Sequence, residues 1–148
     1  MNPLQFRKMW YQKITLQELN SRPKKSLSSW VGIEFSEITE DSLSATMPVD
    51  ERTRQQAGIL HGGASVVLAE TLGSVASTLI IDSEKWMAVG LEINANHLRP
   101  VSQGYVTGIC TPIHIGTKTH VWDIKIFNDQ GKLNCISRLT VAIIPKEK

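Results

Sequence analysis

The run from Gly62 to Ile81 holds twenty residues, and Glu70 is the only ionisable side chain among them. The other residues are aliphatic, or are glycine, serine or threonine. A helix formed by this run has almost no charged face, and helices that are apolar on all sides are buried. Burying a carboxylate is costly unless another group compensates for it. The sequence therefore predicts a long buried helix that carries one acid near its centre.

The residues before this acid suggest a reaction site. His61 precedes the run and Gly62 opens it. The first N–H groups of a helix are unpaired and carry the positive end of its dipole, so they can polarise a carbonyl oxygen. Glu70 could attack that carbonyl or take a proton from water, while Gln55 could hold the same oxygen as a neutral donor. The structural alternative is that Glu70 pairs with a base such as Arg99 or reaches the rim of the fold.

The spacing of Gly62 and Glu70 limits how these two residues can reach one substrate. The two residues are eight positions apart, which corresponds to ~12 Å of helical rise. A reacting carbonyl must lie about 3 Å from both the oxyanion donor and the attacking group. One helix cannot meet this condition, whereas two antiparallel copies side by side can. We therefore expect a two-fold dimer with two equivalent sites across its interface.

The first thirty residues differ in character from the rest. They carry six Lys or Arg and one acid, in a chain whose net charge is only +2. Thr15 and Glu18 have the spacing of a capping box, which predicts a short helix, and a linker is expected over 20–28. A solvated helix is the favoured interpretation of these charges, and we expect no nucleic-acid partner. We divide the chain into a basic extension, 1–30, and a main domain, 31–148.

The periodicity of apolar residues changes from residue 31 onward. Apolar and polar side chains alternate, which is typical of half-buried strands. Strands are predicted over 31–38, 42–49, 87–93, 105–115, 122–126 and 133–144. The turn residues at 128–131 join the last two strands in a hairpin. The fold class is α+β: a curved antiparallel sheet wraps one long central helix, and a short N-terminal helix precedes it.

Cysteine usage and hydropathy bear on location. Cys110 and Cys135 do not form a Cys-x-x-Cys pair, which predicts two free thiols in a reducing cytoplasm. No basic patch and apolar stretch of a signal peptide follows Met1. The run 62–81 is long enough to cross a membrane, but it holds Glu70 and six Ser, Thr or Gly residues after position 64. We therefore expect no membrane insertion.

Several standard catalytic sites are excluded by motif. The chain has no P-loop, no G-x-G-x-x-G and no H-E-x-x-H. Its four histidines show no metal-ligand spacing with the cysteines. Ser65 lies in G-G-A-S-V-V rather than in the G-x-S-x-G turn of a serine hydrolase. We expect no metal ion and no tightly bound cofactor.

Two segments resemble a known family. The residues from Gln55 through His61, Gly62 and Glu70 to Ser74 resemble the hotdog-fold acyl-CoA thioesterases, and so does the segment 89–100, VGLEINANHLRP. The most similar branch contains the phenylacetic-acid-degradation, 1,4-dihydroxy-2-naphthoyl-CoA and enterobactin-proofreading thioesterases. The resemblance covers roughly residues 31–144 and leaves the basic residues 1–13 outside. It implies a hotdog fold and an assembly of two dimers, a tetramer.

The resemblance also implies roles for individual residues. Glu70 matches the catalytic carboxylate and Gly62 the backbone oxyanion donor. The other matched or inferred positions are Gln55 and His61, which would orient the thioester, Ser74, which would position water, His97 near the acyl group, Arg99 and Lys118 near the CoA nucleotide, and Val66, Val67 and Leu72 lining the acyl pocket. The alternatives left open are a surface loop residue for Gln55, a helix cap for His61 and packing for Ser74.

The predicted function is hydrolysis of an aromatic or medium-chain acyl-CoA to the free acid and CoA. Two alternatives remain open. A hotdog hydratase or dehydratase would use His61 and Glu70 to move a proton beside the carbonyl. A non-catalytic acyl-CoA binder would hold the thioester without hydrolysing it.

Overall fold

The computed structural model describes residues 9–23 and 25–147. Part of the predicted basic extension therefore lies outside the described residues, including Arg7, Lys8 and Lys24. In chain order the elements are α1 (Leu16–Asn20), α2 (Leu27–Trp30), β1 (Glu34–Ile38), β2 (Leu43–Pro48), α3 (Gly62–Ile80), β3 (Trp86–His97), β4 (Tyr105–Ile115), β5 (Thr119–Asn128) and β6 (Leu133–Pro145).

The N-terminal helices are short and are fixed by their caps. The Glu18 N–H donates to Thr15 Oγ1 at 3.2 Å and the Thr15 N–H donates to Glu18 Oε2 at 2.7 Å, so the predicted capping box is confirmed. The predicted linker 20–28 is wrong at its end, because α2 begins at Leu27 with Ser26 as its N-cap. Four residues are too few for hydrophobic periodicity to show.

The six strands form one antiparallel sheet in the order β1-β2-β4-β5-β6-β3. Both the number of strands and the final hairpin are as predicted. The Gly131 N–H donates to Asn128 O at 2.9 Å in the β5–β6 turn, and Gly131 has φ +71°, which favours glycine. Strand β3 follows the helix in sequence yet pairs with β6, which leaves β3 at one edge of the sheet.

One face of α3 packs on this sheet. Leu68, Leu72, Ala76 and Leu79 on that face are at most 1% exposed. Gly73 lies directly against Leu139 of β6, so the small residue lets the helix approach the sheet. Each fully buried leucine contributes roughly 2 kcal/mol of hydrophobic stabilisation, which makes this face the main attachment of the helix.

A buried polar network also joins α3 to the sheet. Trp122 Nε1 donates to Ser77 Oγ at 2.8 Å, and His120 Nδ1 lies 3.0 Å from the same oxygen. Burial lowers the pKa of His120, because the charged imidazolium would lose its hydration. His120 therefore stays neutral at physiological pH and serves the core.

The C-terminal end of α3 is closed by the N-terminal segment. The Gln12 N–H donates to Leu79 O at 2.9 Å, and Gln12 Nε2 donates to Thr78 O at 2.8 Å and Ile81 O at 3.3 Å. The last carbonyls of a helix lack intrahelical partners. Gln12 donates to these carbonyls, so the segment before α1 is part of the packed fold.

The second face of α3 is only partly covered by this chain. Val66, Val67, Glu70, Ser74 and Val75 are all only partly buried. The predicted fold class is confirmed, since one long central helix packs on a six-stranded antiparallel sheet, but the sheet leaves this side of the helix partly exposed. We refer to Val66, Val67, Glu70 and Ser74, which lie within about 100° of one another around the helix axis, as the open face.

Candidate active site

A cleft of about 340 Å³ lies at the start of α3. Its walls come from the loop before α3, the first turn of α3, the end of β3 and the start of β6. The residues that line it include Gln55, Gly62, Ser65, His97, Arg99 and Asn134. Four of these are sequence-predicted site residues, so the fold brings together two segments that are 35 residues apart in the chain at Gly62 and His97.

Gly62 is the first residue of α3, and its N–H donates to no acceptor within the described part of the chain. The ring of His97 packs against it: a Cβ at this position would lie 2.7 Å from His97 Nε2. A side chain at this position would therefore have to displace the His97 ring. Gly62 presents a free N–H at the positive end of a 19-residue helix.

His61 is the N-cap of α3. The Gly63 N–H donates to His61 Nδ1 at 2.8 Å, so the helix-cap alternative for this residue is confirmed. Since a backbone N–H can only donate, Nδ1 must be the unprotonated nitrogen and the neutral ring carries its proton on Nε2. The exposed His61 ring therefore still has a donor to offer.

Gln55 lies in a loop held by its own hydrogen bonds. The Gln55 N–H donates to Ile59 O at 2.8 Å, and the Gly58 N–H donates to Gln55 O at 2.9 Å. The Ala57 N–H donates to Gln55 Oε1. That bond fixes the orientation of the amide and leaves Nε2 without a partner in the portion of the chain described, so it can donate into the cleft.

Glu70 does not line this cleft. It lies on the open face of α3, and its carboxylate is packed against Gly90 of β3, which has no side chain to displace it. It forms no ion pair with any described residue, so the alternative of a pair with Arg99 is wrong. Arg99 Nη1 instead donates to Leu133 O at 2.9 Å. Desolvation by the surrounding apolar groups raises the pKa of Glu70.

Gly90 is a site residue that the sequence reasoning missed. The β3–β6 register shifts between Gly90 and Glu92, which marks a β-bulge beside the carboxylate. A glycine inside an alternating strand pattern is a recognised signal of a bulge or a close backbone approach. That signal was present in the sequence, but nothing there indicated which group makes the approach.

Ser74 lies one helical turn after Glu70 on the open face. Residues four apart on a helix are neighbours on its surface. The Ser74 carbonyl accepts from Thr78 Oγ1 at 2.9 Å. The hydroxyl of Ser74 is therefore close to the carboxylate side of the helix, and its role with water stays a prediction.

Two predicted substrate-binding residues lie elsewhere. Leu72 is fully buried against Gly108 of β4, so it faces the sheet and not a pocket beside the open face. Two hydrogen bonds show where Lys118 and Arg99 lie along β6. Lys118 is beside Ile143, whose N–H donates to Lys118 O at 2.9 Å. Arg99 is beside Asn134, whose Nδ2 donates to Arg99 O. Nine residues of an extended strand separate positions 134 and 143, which is ~30 Å. Arg99 and Lys118 of one chain therefore cannot hold one nucleotide, while Val66 and Val67 do lie on the open face.

The second cleft and the cysteines contain none of the predicted site residues. This cleft has a volume of about 300 Å³, is lined by Trp10, Ile14, Ile38 and Leu79, and lies at the opposite end of α3. No group of three or more His, Cys, Asp or Glu that could hold a metal ion occurs among residues 9–23 and 25–147. Cys110 and Cys135 are free and buried.

The sequence matches the family described as the thioesterase superfamily over residues 57–135. A putative esterase of Pseudomonas aeruginosa is 52% identical over 93% of this chain and 94% of its own length. The 1,4-dihydroxy-2-naphthoyl-CoA hydrolase of Escherichia coli is 52% identical over 92% of this chain and 99% of its own length. A crystal structure of a mutant thioesterase of P. aeruginosa has a TM-score of 0.91 and 51% identity, covering 93% of this chain and 99% of that chain.

These matches are wider than the predicted resemblance. The P. aeruginosa esterase aligns over 137 residues, whereas residues 31–148 number only 118. The similarity must therefore include part of the first thirty residues, in agreement with the packing of Gln12 on α3. The relatives are named esterases, thioesterases and a CoA-thioester hydrolase, which supports hydrolysis over the two other activities that the sequence left open.

Proposed function

Because this chain belongs to the thioesterase superfamily and has the hotdog fold, we propose that it hydrolyses an aromatic or medium-chain acyl-CoA at a site completed by a second copy of itself. The observation that carries the proposal is the separation of the two halves of the site. The free Gly62 N–H lies in the cleft, while Glu70 lies on the open face of the same helix. Thioester hydrolysis needs both groups at one carbonyl.

The edge of the sheet supports a dimer. Strand β3 is an edge strand, so the N–H and C=O groups on its outer side have no strand to pair with. Its side chains include Met87, Val89 and Leu91, which are 45%, 38% and 63% exposed. The open face of α3 adjoins this strand through the contact between Glu70 and Gly90. Apolar surface of this kind is typical of an interface, and a second copy would cover it.

In the proposed dimer the two α3 helices run antiparallel, so that Glu70 of one copy faces Gly62 of the other. The thioester oxygen accepts from the Gly62 N–H and from Gln55 Nε2, which stabilise the negative charge that develops on it. Glu70 of the other copy then attacks the carbonyl carbon, or removes a proton from a water that attacks it. The C–S bond breaks, and the products are the acid and the thiol.

The proposed substrate class is supported by apolar side chains on the open face and by the name of one relative. Val66 and Val67 on the open face offer apolar contact to an acyl group. The E. coli relative is named for an aromatic acyl-CoA, 1,4-dihydroxy-2-naphthoyl-CoA. Arg99 is exposed at the cleft and could meet the anionic nucleotide of CoA. A cytoplasmic location, where CoA thioesters occur, stays a prediction.

A panel of CoA thioesters tests this function. Release of free thiol should be fastest with benzoyl-CoA, 1,4-dihydroxy-2-naphthoyl-CoA or octanoyl-CoA, with kcat/KM about tenfold or more above acetyl-CoA, because apolar contact adds binding energy. Sedimentation should show a dimer or a larger even assembly under assay conditions. An active monomer would refute the shared site. A change in enoyl absorbance without thiol release would identify a hydratase instead.

The pH profile should report the ionisation of Glu70. Its pKa is raised above the ordinary value of 4.5 by desolvation. The carboxylate is the reactive form in both routes, so log kcat/KM should reach a plateau above that raised pKa and fall with a slope of about one below it. We expect the midpoint of this acidic limb above pH 4.5. A limb that persists unchanged in Glu70→Gln would show that another group titrates.

A further inference from the structure

Asn134 lies at the start of β6, and no described residue donates to its amide oxygen. The residue is 4% exposed, and its Oδ1 is the one buried side-chain polar atom without a partner among the described residues. Leaving a buried acceptor unpaired costs roughly 1–3 kcal/mol. Most such groups in native proteins have a partner, so an exception requires an explanation.

Hydrogen bonding fixes which end of the amide is unpaired. Asn134 Nδ2 donates to the carbonyl oxygen of Arg99. A carbonyl can only accept, so Nδ2 must occupy that position and Oδ1 must point elsewhere. The Leu98 N–H donates to Asn134 O at 2.8 Å, which anchors the backbone on the same side. Exchange of the two amide atoms is therefore excluded.

The backbone at Asn134 is built to redirect this side chain. The β5–β6 register pairs Phe127 with Leu133 and Ile126 with Cys135, so Asn134 is the extra residue of a β-bulge. Bulges turn a side chain away from the direction that regular alternation would give it, and they are frequent beside active sites. Asn134 lines the same cleft as Gly62 and His97.

We propose that a small shift of the cleft wall on binding exposes the buried Asn134 Oδ1, which then accepts a hydrogen bond from an amide N–H of the pantetheine arm of the bound thioester. The inference rests on the proposed function. Asn134 is level with Leu98 and Arg99, beyond the His97 ring that contacts the oxyanion donor Gly62. It therefore lies between the reacting carbonyl and the exposed cation of Arg99. In a CoA thioester the arm with its two amides occupies this position, between the thioester and the nucleotide.

The test compares three substrates: S-benzoyl-pantetheine and two analogues in which one or the other amide N–H is replaced by an ester oxygen. For the wild-type enzyme, kcat/KM should fall about tenfold with one of the analogues, since a site that offers an acceptor rejects a ligand without the donor. Asn134→Leu should hydrolyse all three substrates at rates within about twofold of one another. Asn134→Ala is a second variant in case leucine overpacks the bulge.

Ser137→Ala is the matched control. Ser137 Oγ donates to Asn94 O at 2.8 Å, so this variant also loses a buried bond between β6 and β3, but outside the cleft. It should keep the tenfold discrimination. Any general damage lowers the rates with all three substrates equally and leaves their ratio unchanged.

Three results would overturn the inference. Discrimination that survives in Asn134→Leu or Asn134→Ala would mean that another group accepts from the arm, and a wild-type enzyme that does not discriminate would mean that no group does. The third comparison is kcat/KM for benzoyl-CoA against 2-hydroxybenzoyl-CoA. If Asn134→Leu loses a preference between these two acyl groups but keeps the discrimination between the arm analogues, Oδ1 accepts from the acyl group and the proposal is contradicted. Failure of the wild-type enzyme on benzoyl-CoA would instead refute the proposed function.

Discussion

Glu70→Gln should lower kcat by about 10³-fold or more while the fold stays intact. Glutamine keeps the size of the side chain, but it neither attacks a carbonyl nor accepts a proton from water at neutral pH. The measurement is single-turnover and steady-state thiol release from the best acyl-CoA of the panel. Glu92→Gln is the matched control, because Glu92 is an exposed carboxylate on β3 whose oxygens only accept from Asn94 Nδ2 at 3.3 Å. Its kcat should stay within about twofold of wild type.

The same substitution should not destabilise the protein. The folded-state pKa of Glu70 is raised, so its contribution to stability is complete below the unfolded-state pKa and is lost as the pH rises through the folded-state value. At pH 7 the unpaired carboxylate therefore opposes folding, and the variant should have an equal or higher Tm. A large drop in Tm together with lost activity would mean that Glu70 is structural. Activity above about a tenth of wild type would mean that it is not the reacting group.

Single-turnover hydrolysis in heavy-oxygen water separates the two roles proposed for Glu70. Attack by the carboxylate forms an acid anhydride between Glu70 and the acyl group. When water then attacks the Glu70 carbonyl carbon of this anhydride, the label stays in the protein after one turnover. Attack by activated water puts the label into the acid product. Either result fits the shared site, because both routes need Glu70 at the carbonyl.

Gly62→Pro should lower kcat/KM by about 10²-fold relative to Gly62→Ala. Proline removes the N–H that is expected to hold the thioester oxygen, and the first position of a helix tolerates it because no intrahelical bond is lost. The preceding residue His61 has φ −67° and ψ 131°, an extended conformation that suits a residue before proline. The comparison is kcat/KM of the two variants with one substrate.

Alanine is the control that isolates the N–H. Both substitutions add a Cβ that would lie 2.7 Å from His97 Nε2, so both must displace the His97 ring. Only proline also removes the donor. Equal activity of the two variants would show that the Gly62 N–H does not stabilise the transition state, and that displacement of His97 explains any loss.

The fold could be predicted because periodicity records it locally. Alternation along the strands and the apolar run of α3 are properties of short segments, and the observed bounds Tyr105–Ile115 agree with the prediction. The cover over the helix could not be read in this way. An apolar surface looks the same in sequence whether its own sheet or a second chain buries it.

The site was predicted in part for a related reason. Gly62 and Gln55 stand in a recognisable segment, and the fold places both in one cleft. Leu72 was predicted to line the acyl pocket and Lys118 to contact the nucleotide. Where these side chains lie depends on the register of the whole sheet, which a single segment does not reveal. Asn134 was missed because its β-bulge contains no glycine or other residue that would mark it in the sequence. Its neighbours in the printed sequence give no sign that its oxygen lacks a partner.

A mixed dimer tests most directly whether two chains build each site. Glu70→Gln and Gly62→Pro chains with different affinity tags are co-expressed, and the dimers that carry both tags are isolated. One site of such a dimer takes Gly62 from the first chain and Glu70 from the second, and the other site carries both substitutions. We predict that the mixed dimer recovers about half of the wild-type kcat per dimer, although each parent is nearly inactive. A mixed dimer no more active than its parents would show that Gly62 and Glu70 do not act together across the interface, and would contradict the shared site.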